Sequence, residues 1–303
     1  MEVIVPPVFF QEVRCKRLLQ RLPVSSLGCW WTANPYLGCQ HPCAYCYARG
    51  SHRYVGYQGG EEFERRMVVK VNAAAVLREE LGRPSWPGEC IAIGTACDPY
   101  QLAELKYSIT RQLLGVLIEH GQPCCLTTKS TLLLRDLNLL KELAARALVQ
   151  VQVALCTLNE AVWRHVEPDA SRPAKRLEAL ERLAEAGVPV GVLLAPILPD
   201  LTDAPENLEA LARAAAAHGA SFLGSNIALL RPGSREWTLP LLREQHPHIE
   251  SQYVRRYRGA YDPSSYTSEV LARVAALRER FGLPESAPPR APALRAGQLS
   301  LGI

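Results

Sequence analysis

Six short β-branched or apolar runs, spaced by segments of helical period, constrain this 303-residue chain more than any other feature. The runs are Cys29–Asn34, Cys90–Thr95, Pro123–Thr128, Val149–Thr157, Val188–Leu194 and Ser221–Leu229. Between them lie AAAVLREEL capped by Asn72, a helix opened by Ser108 or Thr110 and closed at Gly121, and DLNLLKELAAR. PAKRLEALERLAEAG and DAPENLEALARAAAAHG follow, each ending at a glycine, Gly187 and Gly219. Alternation of this kind implies parallel strands joined by right-handed crossovers. Six units buried on both faces predict a partial (βα)6 barrel, with a doubly wound sheet as the runner-up.

Composition fits this picture: 48% hydrophobic and 21% charged residues are ordinary for a globular chain. No run approaches the roughly 18 apolar residues of a membrane span. The longest uncharged apolar run, Val188 to Pro199, is too short and carries internal prolines. The N-terminus lacks a basic segment ahead of its apolar stretch and a small-residue cleavage site, which predicts a cytoplasmic protein without a signal peptide. The net charge of +4 allows an anionic partner without requiring one. The chain divides into an N-terminal extension (1–27), the barrel (28–230), an extension rich in arginine (231–283) and a Pro/Ala-rich tail (284–303). From Arg231 to Arg295 there are eleven arginines, no lysine and seven acidic residues, with an amphipathic helix near Thr267–Phe281.

Ten cysteines are many for a chain expected in a reducing compartment, where they should not pair. Three are spaced CxxxCxxC in NPYLGCQHPCAYCYAR: Cys39, Cys43 and Cys46, in a loop that follows the first barrel strand. Three thiolates this close favour a soft metal or an iron–sulfur cluster. A Cys3His zinc site completed by His41, with Cys29 ten residues upstream, is the competing reading, and thiols without a metal are the third. Cys15, Cys29, Cys90, Cys124 and Cys125 have no ligand spacing and read as buried small apolar residues. Cys124 and Cys125 are adjacent on a strand and point to opposite faces.

CxxxCxxC with an aromatic before its last cysteine, after the first strand of a (βα) fold, resembles the radical S-adenosylmethionine (SAM) superfamily. NPYLGCQHPCAYCYAR, IGTACDPYQLAE, TTKSTLLLRDL, EPDASRPAKRLEAL and GVLLAPILPDLTD are similar, in that order, to the spore photoproduct lyase-like branch, over about residues 30–282. The resemblance implies a [4Fe–4S] cluster on the three cysteines. Its open iron would chelate SAM, and an external one-electron reductant would drive cleavage to a 5′-deoxyadenosyl radical that abstracts hydrogen from substrate.

Active sites of such barrels lie at the C-terminal ends of the strands, the rim that the cysteine loop marks. Asp98, Lys129, Cys156 with Thr157, and Pro196 fall at that rim. The resemblance places Tyr45 beside the SAM adenine and Lys129 near the SAM carboxylate, a task suited to a compact cation. Asp98 is read either as a ribose or amine contact or as an Asp-Pro turn opener. Cys156 stands where the family carries a contacting polar residue. Glu167 and Arg176 read as a structural ion pair. In spore photoproduct lyases a cysteine three residues before the acidic turn returns hydrogen to the product radical. Thr95 holds that position here, and Cys97 is either a displaced donor or a small residue beside the cofactor.

YVRRYRGAY interleaves Arg255, Arg256 and Arg258 with Tyr253, Tyr257 and Tyr261. Arginines meet phosphates and tyrosines stack on bases, so nucleic acid, DNA or RNA, is the expected partner; a solvated helix face would read alike. The terminal QLSLGI resembles the bacterial sliding-clamp-binding pentapeptide at Gln298, Leu299, Ser300 and Leu301, with Gly302 where that motif closes on Phe; a frayed tail competes. The expected function is hydrogen abstraction from a nucleic acid in repair or modification. The alternatives are a peptide or small-metabolite substrate, or a non-enzymatic iron–sulfur or zinc nucleic-acid-binding module.

Overall fold

The computed structural model describes residues 7–26, 28–57, 60–259, 265–286 and 288–289. Its strands are β1 (Phe9–Val13), β2 (Leu19–Ser26), β3 (Cys29–Ala33), β4 (Tyr36–Leu37) and β5 (Arg66–Lys70), then β6 (Ile91–Ile93), β7 (Cys124–Thr128), β8 (Val149–Ala154), β9 (Val190–Ile197) and β10 (Leu223–Ile227). A seven-stranded sheet runs β2-β3-β6-β7-β8-β9-β10. From β3 to β10 every pairing is parallel, and β2 joins β3 antiparallel. This is the partial (βα)6 barrel that the alternation predicts, and all six expected strands are present.

The crossover helices also fall where expected: Ala73–Leu81, Ile109–His120, Leu137–Ala145, Pro173–Glu185 and Pro205–Ala217. Their apolar stripes, Leu113, Leu114 and Leu117 among them, pack on Ile91, Ile93, Leu126, Val151 and Val153 of the sheet in one core. Each such fully buried side chain stabilises the fold by about 1.5–3 kcal/mol. Asn72 departs from its expected role. It precedes its helix but makes no side-chain cap. Its amide instead accepts from the Cys15 N–H at 2.8 Å and donates to the Cys15 carbonyl at 3.0 Å, fastening the N-terminal segment.

β6 is shorter than the expected Cys90–Thr95 because Gly94 breaks it. Gly94 has φ +97°, and a Cβ there would lie 2.2 Å from the Thr127 carbonyl oxygen. Four strands were not anticipated. β1, β5 and β4 form a small second sheet, and β2 extends the main one. The second sheet pairs strands distant in sequence, as in Phe9 opposite Arg66, whereas β2 turns directly back on β3; period-2 patterning over so few residues is faint.

After β10 the described residues form three helices, Arg235–Gln245, Pro247–Arg256 and Ser265–Phe281. The expected base-stacking role of Tyr253 and Tyr257 fails here. Both are 0% exposed. Their hydroxyls donate to the Pro199 carbonyl at 2.8 Å and the Ala228 carbonyl at 3.0 Å. At helical spacing they lie on the inner face, while Arg255 and Arg258 stay exposed. Arg256 lies 3.4 Å from Asp200 and stacks over Tyr266. Tyr261 and the clamp-like Gln298 to Leu301 lie outside the described residues. Among the described residues no helix is long and apolar enough to cross a membrane.

Candidate active site

The loop after β3 and β4 carries Cys39, Cys43 and Cys46 at the C-terminal rim of the barrel. Gly38 starts it with φ +86°, where a Cβ would meet His52 at 2.7 Å and the Arg66 carbonyl at 2.9 Å. Cys39 and Cys43 are buried and Cys46 is half-buried. Two segments latch the loop. From the β6 rim, buried Gln101 accepts from the Gln40 N–H at 2.9 Å and donates to the Gly38 carbonyl at 3.2 Å. Gln40 in turn accepts from the Ala103 N–H at 2.6 Å. From the C-terminal extension, the Thr238 hydroxyl donates to the Ala44 carbonyl at 2.8 Å. The extension also shares a hydrophobic cluster with the loop, in which Cys43 and Tyr45 meet Leu242, Ile249, Tyr253 and Tyr257. Sequence reasoning missed both Gln101 and Thr238. Gln101 stands inside the quoted IGTACDPYQLAE segment, whereas Thr238 carries no signal of its own.

Burial pushes the Cys39 thiol well above its ordinary pKa range, with Asp98 adding to the shift. It pushes Cys43 up to about 12 although Lys129 pulls the other way. Ionising these thiols therefore needs a bound metal's own charge. Among the described residues, the one triad of ligating atoms within 4.8 Å of each other is Cys29, Cys90 and Cys125, not the loop cysteines. The three loop sulfurs do not all lie within 4.8 Å of one another. The zinc alternative lacks a converging ligand set: among the described residues His41 forms no group of three ligating atoms within 4.8 Å with the loop cysteines, and Cys29 Sγ lies 2.8 Å from Cys90 Sγ instead. A [4Fe–4S] cluster thus fits the loop's donor set better than a single zinc ion.

Asp98 joins the rims of β6 and β7. Its Oδ1 accepts from the Thr128 hydroxyl at 2.7 Å and the Tyr100 N–H at 2.9 Å, and its Oδ2 from the Lys129 N–H at 2.8 Å. Burial alone would raise its pKa, but His41 and these donors hold the carboxyl well below the usual range. The Asp98 N–H also points at Cys39 Sγ, 3.4 Å away. These contacts describe the turn-opening role that the Asp-Pro pair suggested.

Behind the loop is a buried charged network. Arg176 Nη2 donates to Glu167 Oε2 at 2.6 Å, with both side chains 1% exposed, so the expected ion pair is present. The Tyr45 hydroxyl donates to Glu167 Oε1, and Lys129 Nζ lies 4.0 Å from that oxygen and 5.6 Å from the centre of the Tyr45 ring. Burial disfavours the Lys129 charge, but Cys43 and Glu167 outweigh it and raise its pKa. Burial likewise works against the Glu167 carboxylate, and Arg176 and Lys129 overcome it, lowering its pKa. Arg176 also donates to the Ala154 carbonyl at 2.8 Å, tying the network to the end of β8. Cys156 is buried beside Cys43 and Tyr45, and Pro196 is half-buried near the end of β9 after a cis peptide bond. Cys97 is buried, and its thiol donates to the Tyr36 carbonyl at 3.3 Å. The Thr95 hydroxyl instead meets Thr32 Oγ1 at 2.6 Å and accepts from Asn34 at 3.0 Å. A cleft of about 420 Å³ opens beside the loop, lined in part by His41, Tyr100, Ser130, Arg135 and Asp169.

Comparison with known proteins agrees with this geometry. The family model of the Radical SAM superfamily matches residues 33–214. An uncharacterized protein of Mycobacterium tuberculosis is 40% identical over 291 residues, 95% of this chain and 86% of that protein. One from Methanocaldococcus jannaschii is 28% identical over 181 residues, 60% of this chain and 65% of that protein. Among solved structures, spore photoproduct lyase with bound AdoMet and dinucleoside spore photoproduct superposes with a TM-score of 0.70 at 14% identity, covering 92% of this chain and 81% of that one. At that identity the likeness speaks for the fold.

Proposed function

This chain belongs to the radical SAM superfamily and is an enzyme of that class; from that premise we propose that it abstracts hydrogen from a nucleic acid, in repair or modification. The observation that carries the proposal is the cysteine loop itself, latched at the barrel rim against the half-buried Lys129. The fold around it is shared, over 92% of the chain, with a lyase whose structure holds a dinucleoside. Cys39, Cys43 and Cys46 would hold the [4Fe–4S] cluster. Cluster and SAM, once bound and supplied with an electron by an external reductant, provide the hydrogen-abstracting chemistry.

The chain's own residues supply position and charge. Lys129 presents a cation toward the loop from a site where Glu167 and Tyr45 fix it, so it would pair with the SAM carboxylate. Tyr45 and Cys156 would bound the cofactor on the β8 side and Pro196 on the β9 side. Asp98 would act by holding Cys39 and the lysine backbone in register. Burial pushes the Cys97 thiol up to about 12, so it keeps its hydrogen at neutral pH, as a hydrogen donor must. With Thr95 where the photoproduct lyases carry their donor cysteine, the proposed reaction is not photoproduct reversal. Exposed Arg255 and Arg258 on the extension, beside the same rim, would meet phosphates.

The test is isotopic. Reconstituted protein with SAM and dithionite is offered deuterated DNA, RNA or peptide, and 5′-deoxyadenosine is analysed by mass spectrometry. Deuterium from a nucleic acid supports the reading. Deuterium from the peptide alone transfers the enzyme to the peptide or metabolite class.

A further inference from the structure

The opposite, N-terminal end of the barrel gathers a second set of thiols. Cys29 is the first residue of β3, Cys90 immediately precedes β6, and Cys125 is the second residue of β7. These three strands are neighbours in the sheet. Cys29 Sγ and Cys90 Sγ are 2.8 Å apart, Cys90 Sγ and Cys125 Sγ 3.8 Å, and all three sulfurs lie within 4.8 Å of each other. Cys29 and Cys125 are buried core residues, as expected, with Cys90 packed against them, and their convergence adds to that packing role. Cys124, one residue away, faces the crossover helices instead and joins the main core.

We propose that Cys29, Cys90 and Cys125 form a second metal site, for a single thiophilic d10 ion. Sulfur ligands at about 2.3 Å from one ion stand about 3.8 Å apart, the separation that Cys90 and Cys125 already have. Cys29 and Cys90 need only part by about 1 Å to match it. A donor set of sulfur alone selects zinc or monovalent copper over harder ions. Ligands this close cannot each hold a different iron of a cluster, so the site is mononuclear. Binding displaces the thiol protons to solvent and ties the starts of three adjacent strands together.

The C-terminal segment covers the same end. The Leu223 N–H donates to the Pro284 carbonyl at 2.9 Å. The Ser286 hydroxyl donates to Gln150 Oε1 at 2.7 Å, the oxygen that Cys125 Sγ approaches at 3.9 Å. Pro288 packs on Gly28, where a Cβ would lie 2.6 Å from its Cδ. Cys29 and Cys125 are buried under this cover, and half-buried Cys90 leaves an approach for the ion.

The test uses the full chain with its iron already reconstituted, so that the rim cysteines are occupied. Zn²⁺, and separately Cu⁺ under anaerobic conditions, is titrated against a chromophoric chelator, and bound metal is counted by mass spectrometry. About one equivalent beyond the iron is expected, falling to background in Cys90→Ser and Cys125→Ala with iron unchanged. If Cys125→Ala fails to fold, thiolate-to-metal absorption of the wild-type protein loaded with Cd²⁺ counts the sulfurs directly. Three per ion supports the site. One or two per ion, uptake indifferent to Cys90→Ser, or a Cys29–Cys90 disulfide in place of metal overturns it.

Discussion

The two ends of the barrel each hold a candidate set of three cysteine ligands, and they gather it by different means. At the C-terminal rim, Cys39, Cys43 and Cys46 come from one short loop, and their sulfurs stay spread. At the N-terminal end, Cys29, Cys90 and Cys125 come from three strands, 61 and 35 residues apart in sequence, and their sulfurs nearly touch. The rim set is surrounded by charge: Lys129, Glu167, Arg176, Asp98 and His41 all lie within a few contacts of it. The other set is joined in its cluster only by Ala92 and covered by an uncharged serine and proline. A site that handles a charged cofactor needs counter-charges nearby, whereas a site that only ties strands together does not.

The largest expected effect separates the two ends outright. Cys43→Ala should take the iron content from about four per chain to none and abolish SAM cleavage, whereas Cys90→Ser should leave both intact. Iron analysis of the two reconstituted variants checks this, and iron loss in Cys90→Ser alone would reverse the assignment of the ends.

Next in size is the charged network that only the rim possesses. Glu167→Gln leaves Arg176 charged and buried without its partner and should cost about 3–5 kcal/mol of stability. Ser286→Ala, which removes two uncharged hydrogen bonds at the other end, to Gln150 and from Gln152, should cost about 2 kcal/mol. Urea unfolding of both variants measures the contrast, and equal losses would mean that the rim charges are screened by water.

A smaller effect sharpens the cofactor assignment. Lys129→Met keeps the apolar stem and removes the cation, and should weaken SAM binding about tenfold with iron content unchanged, a loss of one charge-assisted contact. Isothermal titration with reconstituted protein reads it, and unchanged affinity would leave Lys129 as a structural partner of Glu167.

The smallest effects lie on the extension. Arg255→Ala with Arg258→Ala should flatten the dependence of log affinity on log salt by nearly one unit per phosphate contact. Tyr257→Phe should leave oligonucleotide binding untouched and lower stability by about 1 kcal/mol, since its hydroxyl serves the Ala228 carbonyl. Filter binding at several salt concentrations, beside a melting curve, tests the pair.

Much of this architecture is legible in the chain because its cause is local. Short continuous apolar runs and period-3.6 patterning mark the six barrel strands and their helices, since an inner strand buries both faces and a crossover helix one stripe. The cysteine loop is legible for the same reason: eight consecutive residues carry all three thiols, so spacing marks a metal or cluster site and the family resemblance says which. The tyrosines of YVRRYRGAY were misread as an exposed stacking surface because sequence shows spacing but not which helical face meets the barrel. The pairing of β1 with β5 depends on contacts across more than fifty residues and leaves only a faint local trace.

By itself, then, the sequence determined the barrel and singled out the rim and the three loop thiols proposed to hold the cluster, because each follows from residues close together in the chain. Only the tertiary structure decided that Glu167 and Arg176 stand behind Lys129, that Thr238 pins the cysteine loop, and that Cys29, Cys90 and Cys125 meet. Adjacent parallel strands start at nearly the same level of the sheet, so residues at their beginnings become neighbours whatever length of chain separates them. Nothing in the spacing of the residues records that level, which pairing register alone sets.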